Sequence, residues 1–282
     1  MKPVYLKTRI FLDSGDPWET REAIKLLGFL DGQTTNPSLI AKNPETAGKK
    51  FDKDEILDFY KKVVQEVSSL IPDGSVSIEV YADSNTKAEE MIDQGREFFE
   101  WIPNAHIKFP TTMEGLKAAE TAVKEGLRVN MTLCFSQEQA AAVHAATQGA
   151  KPGDVFVSPF VGRLDDRGEN GMDLIANIIK MYRQAHSHVE VLTASVRSTE
   201  HVTQALRLGS DIITMPLKVM QNSKLQITNP KQIPNSKPQN LKPIKYQELD
   251  LGKNWQEFDI SNDLTDKGME KFSEDWNKLI NR

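Results

Sequence analysis

The sequence has few of the features that mark secreted or membrane proteins. Its 282 residues include a single cysteine, Cys134, which excludes an intrachain disulfide. No uninterrupted apolar run approaches the ~18 residues that a membrane helix needs, and the first residues, MKPVYLK, lack the apolar core of a signal peptide. Together these absences predict a protein of the reducing cytoplasm with no membrane partner.

Excess positive charge and metal-ligand patterns are also missing. The 35 Lys and Arg residues are scattered among 40 Asp and Glu residues, for a net charge of −5, which argues against nucleic acid as a partner. Any anion that the protein binds is therefore expected to be small. The five histidines show no ligand spacing joined to a cysteine or carboxylate partner, so the sequence predicts no metal site: His106, His144, His186, His188 and His201.

Short β-rich runs alternate with amphipathic helical stretches along most of the chain. The predicted strands cover residues 9–12, 29–35, 76–81, 106–109, 128–133, 155–160, 189–194 and 212–215. Between them lie helical patterns such as 54–70, where apolar residues recur at three- and four-residue spacing. Eight βα units over roughly 220 residues favour a (β/α)₈ barrel, although the pattern alone leaves an open doubly wound sheet as an alternative.

Capping signals mark the ends of several predicted helices. Gly28 and Gly209 stand where helices should stop at a left-handed residue. Two further pairs have the spacing of capping boxes: Thr111 with Glu114, and Ser136 with Gln139.

The last sixty residues follow a different pattern. Segment 222–252 has no sustained periodicity, is interrupted by Pro230, Pro234, Pro238 and Pro243, and predicts an extended arm across a surface. In 264–280, an apolar stripe lies opposite charged residues, so this helix is expected to dock on the barrel. We therefore predict a catalytic barrel over 1–222, with an arm and a C-terminal helix packed on it over 223–282.

Lys108 is the residue most suggestive of chemistry. It lies in an apolar, strand-like run that ends at Pro110. At a pKa of about 10.4 only on the order of a thousandth of lysine side chains are neutral at physiological pH, and apolar surroundings lower that pKa. A neutral amine can attack a ketone and form a Schiff base. Taken alone, a lysine here is more often structural, at a strand end or reaching toward water.

Other polar residues stand at the ends of the predicted strands. Because barrel enzymes place their sites at the carboxyl ends of the strands, and side chains two apart share a face, these residues should converge on one mouth. They are Asp13, Asn36, Glu79, Asn130 with Thr132, Ser158, and Ser195 with Arg197, together with Lys108 itself; the apolar Phe160 shares a face with Ser158. A purely structural barrel has little reason to hold unpaired polar groups there, since each costs several kcal/mol.

Five motifs, in order and in spacing, resemble those of the transaldolase family. They are GQTTNPSLI at 32–40, IKFPTT at 107–112 with EGL at 114–116, NMTL at 130–133 with FS at 135–136, SPFVGR at 158–163, and ASVR at 194–197. The resemblance covers about 10–220, and KFSEDW at 271–276 looks like the closing C-terminal helix of that family. Gln33, Val196 and the proline-bearing arm depart from the family pattern.

This resemblance implies a Schiff-base reaction on sugar phosphates, without a metal or organic cofactor. Lys108 would attack C2 of a ketose phosphate, either fructose 6-phosphate or sedoheptulose 7-phosphate. Asp13 would take the proton of the C4 hydroxyl, so that an aldose phosphate leaves and a dihydroxyacetone enamine adds to a second aldehyde. Glu79 would move protons through a water held with Thr132. The same resemblance implies a place in the pentose phosphate pathway.

Further residues would hold the substrate. By the same resemblance Asn36 and Asn130 bind the hydroxyls of the three-carbon unit, and Ser158 and Phe160 line the site on the sixth strand. Arg163, Arg197 and Ser195 would bind the phosphate, a role that suits the guanidinium fork.

Structural interpretations of the same residues stay open at this stage. Asp13 could cap the helix that begins near Asp16, and Glu79 could pair with a neighbouring barrel lysine. Arg163 could be satisfied by Asp165 and Asp166, and Ser195 could be a small residue at a crowded strand end.

Two other functions are weighed against a transaldolase, and a homo-oligomer is left open. One is an aldolase that releases free dihydroxyacetone, as fructose-6-phosphate aldolases do. Glu79 and Phe160 favour transfer, because by resemblance that branch tends to carry glutamine and tyrosine there. The other is a sugar-phosphate scaffold that has lost catalysis, which should lack the lysine or an acid, and neither is missing.

Overall fold

Eight parallel strands close into a barrel. The computed structural model describes residues 2–229 and 240–280. Each strand pairs in parallel with the next, and β8 closes on β1, so the predicted (β/α)₈ barrel is confirmed and the open sheet is excluded. The strands are β1 (Arg9–Asp13), β2 (Gly32–Thr34), β3 (Ser75–Glu79), β4 (Ala105–Pro110), β5 (Val129–Cys134), β6 (Val155–Pro159), β7 (Glu190–Thr193) and β8 (Ile212–Met215).

Helices fill the connections and surround the strands. They are α1 (Pro17–Leu27), α2 (Pro37–Ala41), α3 (Lys53–Leu70), α4 (Ala88–Phe99), α5 (Met113–Lys124), α6 (Gln137–Ala146), α7 (Val161–Asp166), α8 (Gly171–Gln184), α9 (Thr199–Leu208), α10 (Leu217–Asn222), α11 (Lys224–Thr228) and α12 (Asp263–Asn277). The helix predicted over 54–70 is α3, where Asp52 and Glu55 form a capping box. No helix in the described ranges is long and apolar enough to span a membrane.

Alternation along the strands decides which side chains enter the barrel. On β4, the side chains of Ile107 and Phe109 lie beside Gly95 of α4, on the outside of the barrel wall. Lys108, between them in the sequence, therefore points inward. Glu79 pairs with Lys108 across the β3–β4 register, which brings both side chains to the same level of the interior.

The predicted helix ends agree with the structure in part. Gly28 and Gly209 end α1 and α9 with φ of 78° and 69°, in the left-handed region. Ser136 caps α6 and accepts from the Gln139 amide at 3.0 Å, whereas the Gln139 side chain accepts from Phe135 rather than closing the box.

The capping box predicted at Thr111 and Glu114 is wrong. The cap of α5 is Thr112, whose side chain accepts from the Gly115 amide at 3.1 Å. The Thr111 hydroxyl instead donates to the Thr132 carbonyl at 2.7 Å, because the β4 backbone continues one residue further than the pattern indicates.

Residues 240–250 of the arm contain no helix and run along the outside of the barrel. The Lys242 carbonyl accepts from the Asn170 amide, and the Ile244 carbonyl accepts from the Asn177 side chain, both beside α8. The prediction of an extended arm from residue 222 is wrong at its start, because 224–228 form the short helix α11, in which the Asn229 amide donates to the Leu225 carbonyl. Three of its prolines, Pro230, Pro234 and Pro238, lie outside the described residues.

Helix α12 covers the carboxyl end of the barrel. A Cβ atom on Gly268 would lie 2.5 Å from the end of the Leu133 side chain, so any larger residue here would have to displace that side chain of β5. Phe272 and Trp276 are buried against the barrel, as the apolar stripe predicted. The helix ends at Asn277, three residues earlier than the pattern indicated.

Candidate active site

A cavity of about 270 Å³ opens at the carboxyl ends of the strands, beneath α12. Nine of the predicted site residues line it: Asp13, Asn36, Lys108, Thr132, Ser158, Phe160, Arg163, Ser195 and Arg197. The other two do not line the cavity but contact residues that do: Glu79 pairs with Lys108, and Asn130 accepts from Ser158. Barrel enzymes hold their sites at this end of the strands.

Lys108 lies at the base of the cavity with fixed polar partners. Its Nζ is 2.8 Å from Glu79 Oε2 and donates to the Thr35 carbonyl at 2.8 Å. Both Lys108 and Glu79 are almost inaccessible, at 3% and 4% exposure. A buried ion pair of this kind holds the amine in one position beside a carboxylate oxygen, Glu79 Oε2, that has no hydrogen-bond partner among the described residues.

Burial raises the pKa of both carboxylates near the amine. The pKa of Glu79 is raised by desolvation, and the charge of Lys108 opposes that rise in part. The pKa of Asp13 is raised for the same reason, again against the charge of Lys108. A carboxylate with a raised pKa binds a proton more readily than a free one, so beside an amine it can accept a proton and return it.

Asp13 is held by a hydroxyl and does not cap a helix. Thr34 Oγ1 donates to Asp13 Oδ1 at 2.7 Å and lies 2.6 Å from Thr214 Oγ1. The cap of α1 is Asp16, which accepts from the Trp18 amide at 2.8 Å. The capping interpretation of Asp13 is therefore wrong, and its carboxylate lines the cavity.

Asn130, Ser158 and Ser77 form a buried hydrogen-bond chain beside Lys108. Ser158 Oγ donates to Asn130 Oδ1 at 2.6 Å, and Asn130 Nδ2 donates to Ser77 Oγ at 3.1 Å. This chain fixes the orientation of the Asn130 amide.

Thr132 has a buried hydroxyl that faces the cavity. Its Oγ1 has no hydrogen-bond partner within the described part of the chain, although an unpaired buried hydroxyl costs about 1–3 kcal/mol. Such a group is suited to a ligand or a bound water.

Asn36 both caps a helix and faces the cavity. Its Oδ1 accepts from the Leu39 amide at 2.9 Å at the start of α2. With the oxygen committed to the cap, the Asn36 Nδ2 group remains as a donor on the cavity side.

Arg163 lies between two aromatic rings. Its guanidinium carbon is 5.6 Å from the Phe160 centroid and 5.7 Å from the Phe272 centroid, so α12 helps to hold it. Burial and the neighbouring Arg197 lower the pKa of Arg163 from its ordinary value. Within the described ranges it has no carboxylate ion-pair partner, which leaves its charge available for an anion.

The loop carboxylates have other partners. Asp165 binds His201 Nε2 at 2.7 Å, and Asp166 forms an ion pair with Arg197. The proposal that these two aspartates satisfy Arg163 is therefore wrong.

The end of β7 approaches α7 very closely. A Cβ atom on Gly162 would lie 2.4 Å from the Ser195 carbonyl and 2.5 Å from Arg197 Nε. Ser195 itself has φ of 56°, an uncommon conformation for a residue other than glycine. The strand end is therefore crowded, as the structural interpretation of Ser195 expected, and Ser195 also lines the cavity together with both arginines.

Sequence reasoning missed several residues around the cavity. Thr34 lies in the first motif, but no sequence pattern indicated a function for it. Thr214 lies beside Thr34 because β8 closes on β1. Lys42, Lys271 and Phe272 also line the cavity, and only the last two lay in a motif. Across the described residues, no group of three or more His, Cys, Asp or Glu side chains could hold a metal ion.

The family model that matches the chain is "Transaldolase/Fructose-6-phosphate aldolase", over residues 10–282. A protein of Dehalococcoides mccartyi named "Probable transaldolase" is 43% identical over 75% of this chain and 88% of its own length. Another of that name, from Herpetosiphon aurantiacus, is 36% identical over 96% of each chain.

A solved structure shares the architecture at much lower sequence identity. It is described as that of "a putative dehydratase from Mesorhizobium loti", is 11% identical and superposes with a TM-score of 0.51 over 78% of this chain and 57% of its own. At this identity the likeness concerns the fold alone.

Proposed function

The chain belongs to the transaldolase/fructose-6-phosphate aldolase family, and from that premise we propose that it transfers a dihydroxyacetone unit between sugar phosphates through an imine on Lys108. The observation that carries the proposal is the position of the Lys108 amine. It lies at the base of the cavity, 2.8 Å from Glu79 Oε2, and its charge acts on the buried Asp13 carboxylate. An amine nucleophile between two carboxylates has the groups that imine chemistry needs.

Imine formation uses the Lys108–Glu79 pair. The neutral amine adds to C2 of the ketose, and the C2 oxygen leaves as water once it has been protonated. Glu79, whose pKa is raised by burial, takes the ammonium proton and returns protons through a water held with the free Thr132 hydroxyl.

Cleavage uses Asp13. Its carboxylate removes the proton of the C4 hydroxyl, the C3–C4 bond breaks, and the protonated imine accepts the electron pair as an enamine. The aldose phosphate leaves, a second aldose phosphate enters, and the same steps run in reverse. Asn36 and Asn130, the latter oriented by Ser158, hold the hydroxyls of the three-carbon unit.

The phosphate group is proposed to bind beside α7. Arg163, without a carboxylate partner in the described residues, and Arg197 lie on that side of the cavity with Ser195. Guanidinium groups bind phosphate through two parallel hydrogen bonds. We propose fructose 6-phosphate or sedoheptulose 7-phosphate as donors and aldose phosphates as acceptors, as in the pentose phosphate pathway, and a phosphate site beside α7 supports this.

Transfer is preferred over release of free dihydroxyacetone because of Phe160. An apolar ring in the cavity wall gives the enamine no proton donor at that position, so the enamine persists until an aldehyde arrives. The alternative is an aldolase of the same family, which would protonate and release the three-carbon unit.

The rest of the chain is proposed to serve the same catalytic unit. Residues 1–222 form the catalytic barrel, and 223–282 are the arm and the helix that covers its mouth. A cytoplasmic location is proposed from the single Cys134, buried and free.

The proposal is tested by one assay run twice. Fructose 6-phosphate is supplied with and without erythrose 4-phosphate, and sedoheptulose 7-phosphate and free dihydroxyacetone are both measured. A transaldolase forms the seven-carbon product much faster than it releases dihydroxyacetone. Equal rates of release and transfer would favour the aldolase, and the absence of both products would contradict catalysis on these sugars.

A further inference from the structure

A second cavity lies just outside the barrel wall, between α3, α4 and α12. It has a volume of about 230 Å³. The residues that line it include Leu57, Tyr60, Glu79, Phe98, Trp276 and Asn277. Glu79 lines this side cavity and does not line the substrate cavity. Glu79, which contacts Lys108 inside the barrel, therefore also borders this outer space.

The walls of the side cavity are held in place. Tyr60 packs on Phe98 and Trp276 with ring centroids 6.0 and 5.9 Å apart. Its hydroxyl accepts from the Glu79 amide at 3.0 Å and lies 2.5 Å from Thr35 Oγ1. The aromatic wall is thus tied to the strand ends that present Glu79 and the Thr35 carbonyl to Lys108.

The polar groups of the side cavity are suited to water. Glu79 lies at the inner end, and Lys53, Gln94 and Asn277 supply further polar groups around it. Asn277 Nδ2 donates to Tyr81 OH at 3.1 Å, which joins α12 to the end of the β3 region. One water occupies about 30 Å³ of liquid volume, so a space of this size with several polar groups can hold a few waters.

Imine formation and hydrolysis at Lys108 require water to move to and from the site. Each imine formed at C2 releases one water, and each imine hydrolysed consumes one. While this happens the ketose occupies the substrate cavity and obstructs the way out through the mouth. Resting on the proposed function, we propose that the side cavity is a second route by which water enters and leaves Glu79 during imine formation and hydrolysis.

The test follows the oxygen atom of C2. Fructose 6-phosphate that carries ¹⁸O at C2 is incubated with enzyme and no acceptor, and loss of ¹⁸O is measured by mass spectrometry. Imine formation is measured in parallel by rapid quenching with borohydride, and Lys108→Ala supplies the background exchange. The quantity compared is the ratio of ¹⁸O loss to imine formation.

Leu57→Trp narrows the side cavity from α3 without touching the substrate cavity. If water leaves by this route, the released ¹⁸O water stays at Glu79 and adds back, so the ratio falls several-fold. Leu57→Phe should give a smaller fall, and it replaces the tryptophan variant if circular dichroism shows that variant to be unfolded. Leu206→Trp on α9, also at a partly buried leucine that lines neither cavity, should leave the ratio unchanged.

An unchanged ratio in a folded Leu57 variant would overturn the route, because exchange would then occur through the mouth. An equal fall in Leu206→Trp would also overturn it. Failure of the proposed function looks different: native enzyme would then form no borohydride-trapped adduct and lose no ¹⁸O above background.

Discussion

The Thr34 hydroxyl donates a 2.7 Å hydrogen bond to Asp13 Oδ1. Thr34 Oγ1 also lies 2.6 Å from Thr214 Oγ1. Since a hydroxyl has one proton, and that of Thr34 is directed to Asp13, Thr214 is the donor of the second bond. Two threonines from β2 and β8 thus act in sequence on one carboxylate. The hydrogen bond from Thr34 lowers the pKa of Asp13 against the larger effect of burial, which raises it.

Removal of the Thr34 hydroxyl should move the pH dependence of the reaction. Without this donor the pKa of Asp13 rises further, so Thr34→Val should shift the acidic limb of the kcat profile to higher pH. A hydrogen bond to a charged group contributes ~1.5–3 kcal/mol, so the shift should be about one to two pH units. Thr34→Ser should retain the native profile.

Thr8→Val is a matched control at the opposite end of the barrel, where the Thr8 hydroxyl donates to the Ser210 carbonyl at 2.8 Å. It should change stability but leave the acidic limb in place. An acidic limb that does not move in Thr34→Val would show that Asp13 is not the group that titrates.

Neutralising Asp13 should stabilise the protein at neutral pH while it removes activity. Because the pKa of Asp13 is raised in the folded state, its ionisation above that pKa favours the unfolded chain, and this effect disappears below the ordinary value of 3.8. Asp13→Asn retains an oxygen that can accept from Thr34. We expect the free energy of unfolding to increase by about 0.5–2 kcal/mol near pH 7. Urea unfolding at several pH values measures it, and a loss of stability at neutral pH would contradict the prediction.

The two arginines should matter only for phosphorylated substrates. Arg163→Ala and Arg197→Ala should each raise KM for fructose 6-phosphate by an amount equivalent to ~1.5–3 kcal/mol of charged hydrogen bonding. Donors without phosphate should be little affected. Arg167→Ala, which breaks only an exposed ion pair with Asp263, is the control. Equal losses with both kinds of donor would indicate a structural role.

A hydroxyl at position 160 should favour release over transfer. Phe160 lines the cavity, with its ring 5.8 Å from that of Phe135 in an edge-on arrangement. Phe160→Tyr places a donor that can orient a water or a proton toward the enamine, and ~1.4 kcal/mol on that step is a tenfold change in rate. The ratio of acceptor-free cleavage to transfer to erythrose 4-phosphate should rise. Native enzyme that cleaves as fast as it transfers would contradict the transaldolase assignment whatever the variant does.

Much of the fold could be predicted from the sequence because periodicity reports local structure directly. The eight strand patterns and the apolar stripe of α12 each depend on residues close in sequence. The capping box predicted at Thr111 was wrong because pairing with β5 extends β4 to Pro110, and no local sequence pattern indicates that pairing. The helix end at Asn277 was missed because Ile280 instead bridges to Phe51.

For the site as well, local sequence patterns indicated which residues are involved, whereas the contacts between them depend on the fold. The strand ends and the motifs indicated Lys108, Glu79 and Asp13 as site residues. The distances between their side chains depend on the strand register across the barrel, which the sequence does not show. Thr214 meets Thr34 only because β8 closes on β1, and no spacing in the sequence indicates that contact. Phe272 reaches Arg163 through α12, more than a hundred residues further along the chain.

Loss of function gives a first test of Lys108 as the nucleophile. Lys108→Ala should abolish transfer and leave the circular dichroism of the barrel unchanged. The substrate cavity also holds Lys42 and Lys271, so loss of activity alone does not locate the covalent bond.

The most direct measurement is borohydride trapping in the presence of fructose 6-phosphate, followed by peptide mapping of the adduct. We expect a three-carbon adduct on Lys108, because of the three lysines that line the cavity it is the one that pairs with Glu79. Lys42→Ala and Lys271→Ala should still give that adduct. An adduct on Lys42, Lys271 or any other lysine, or none in the native protein, would contradict the account.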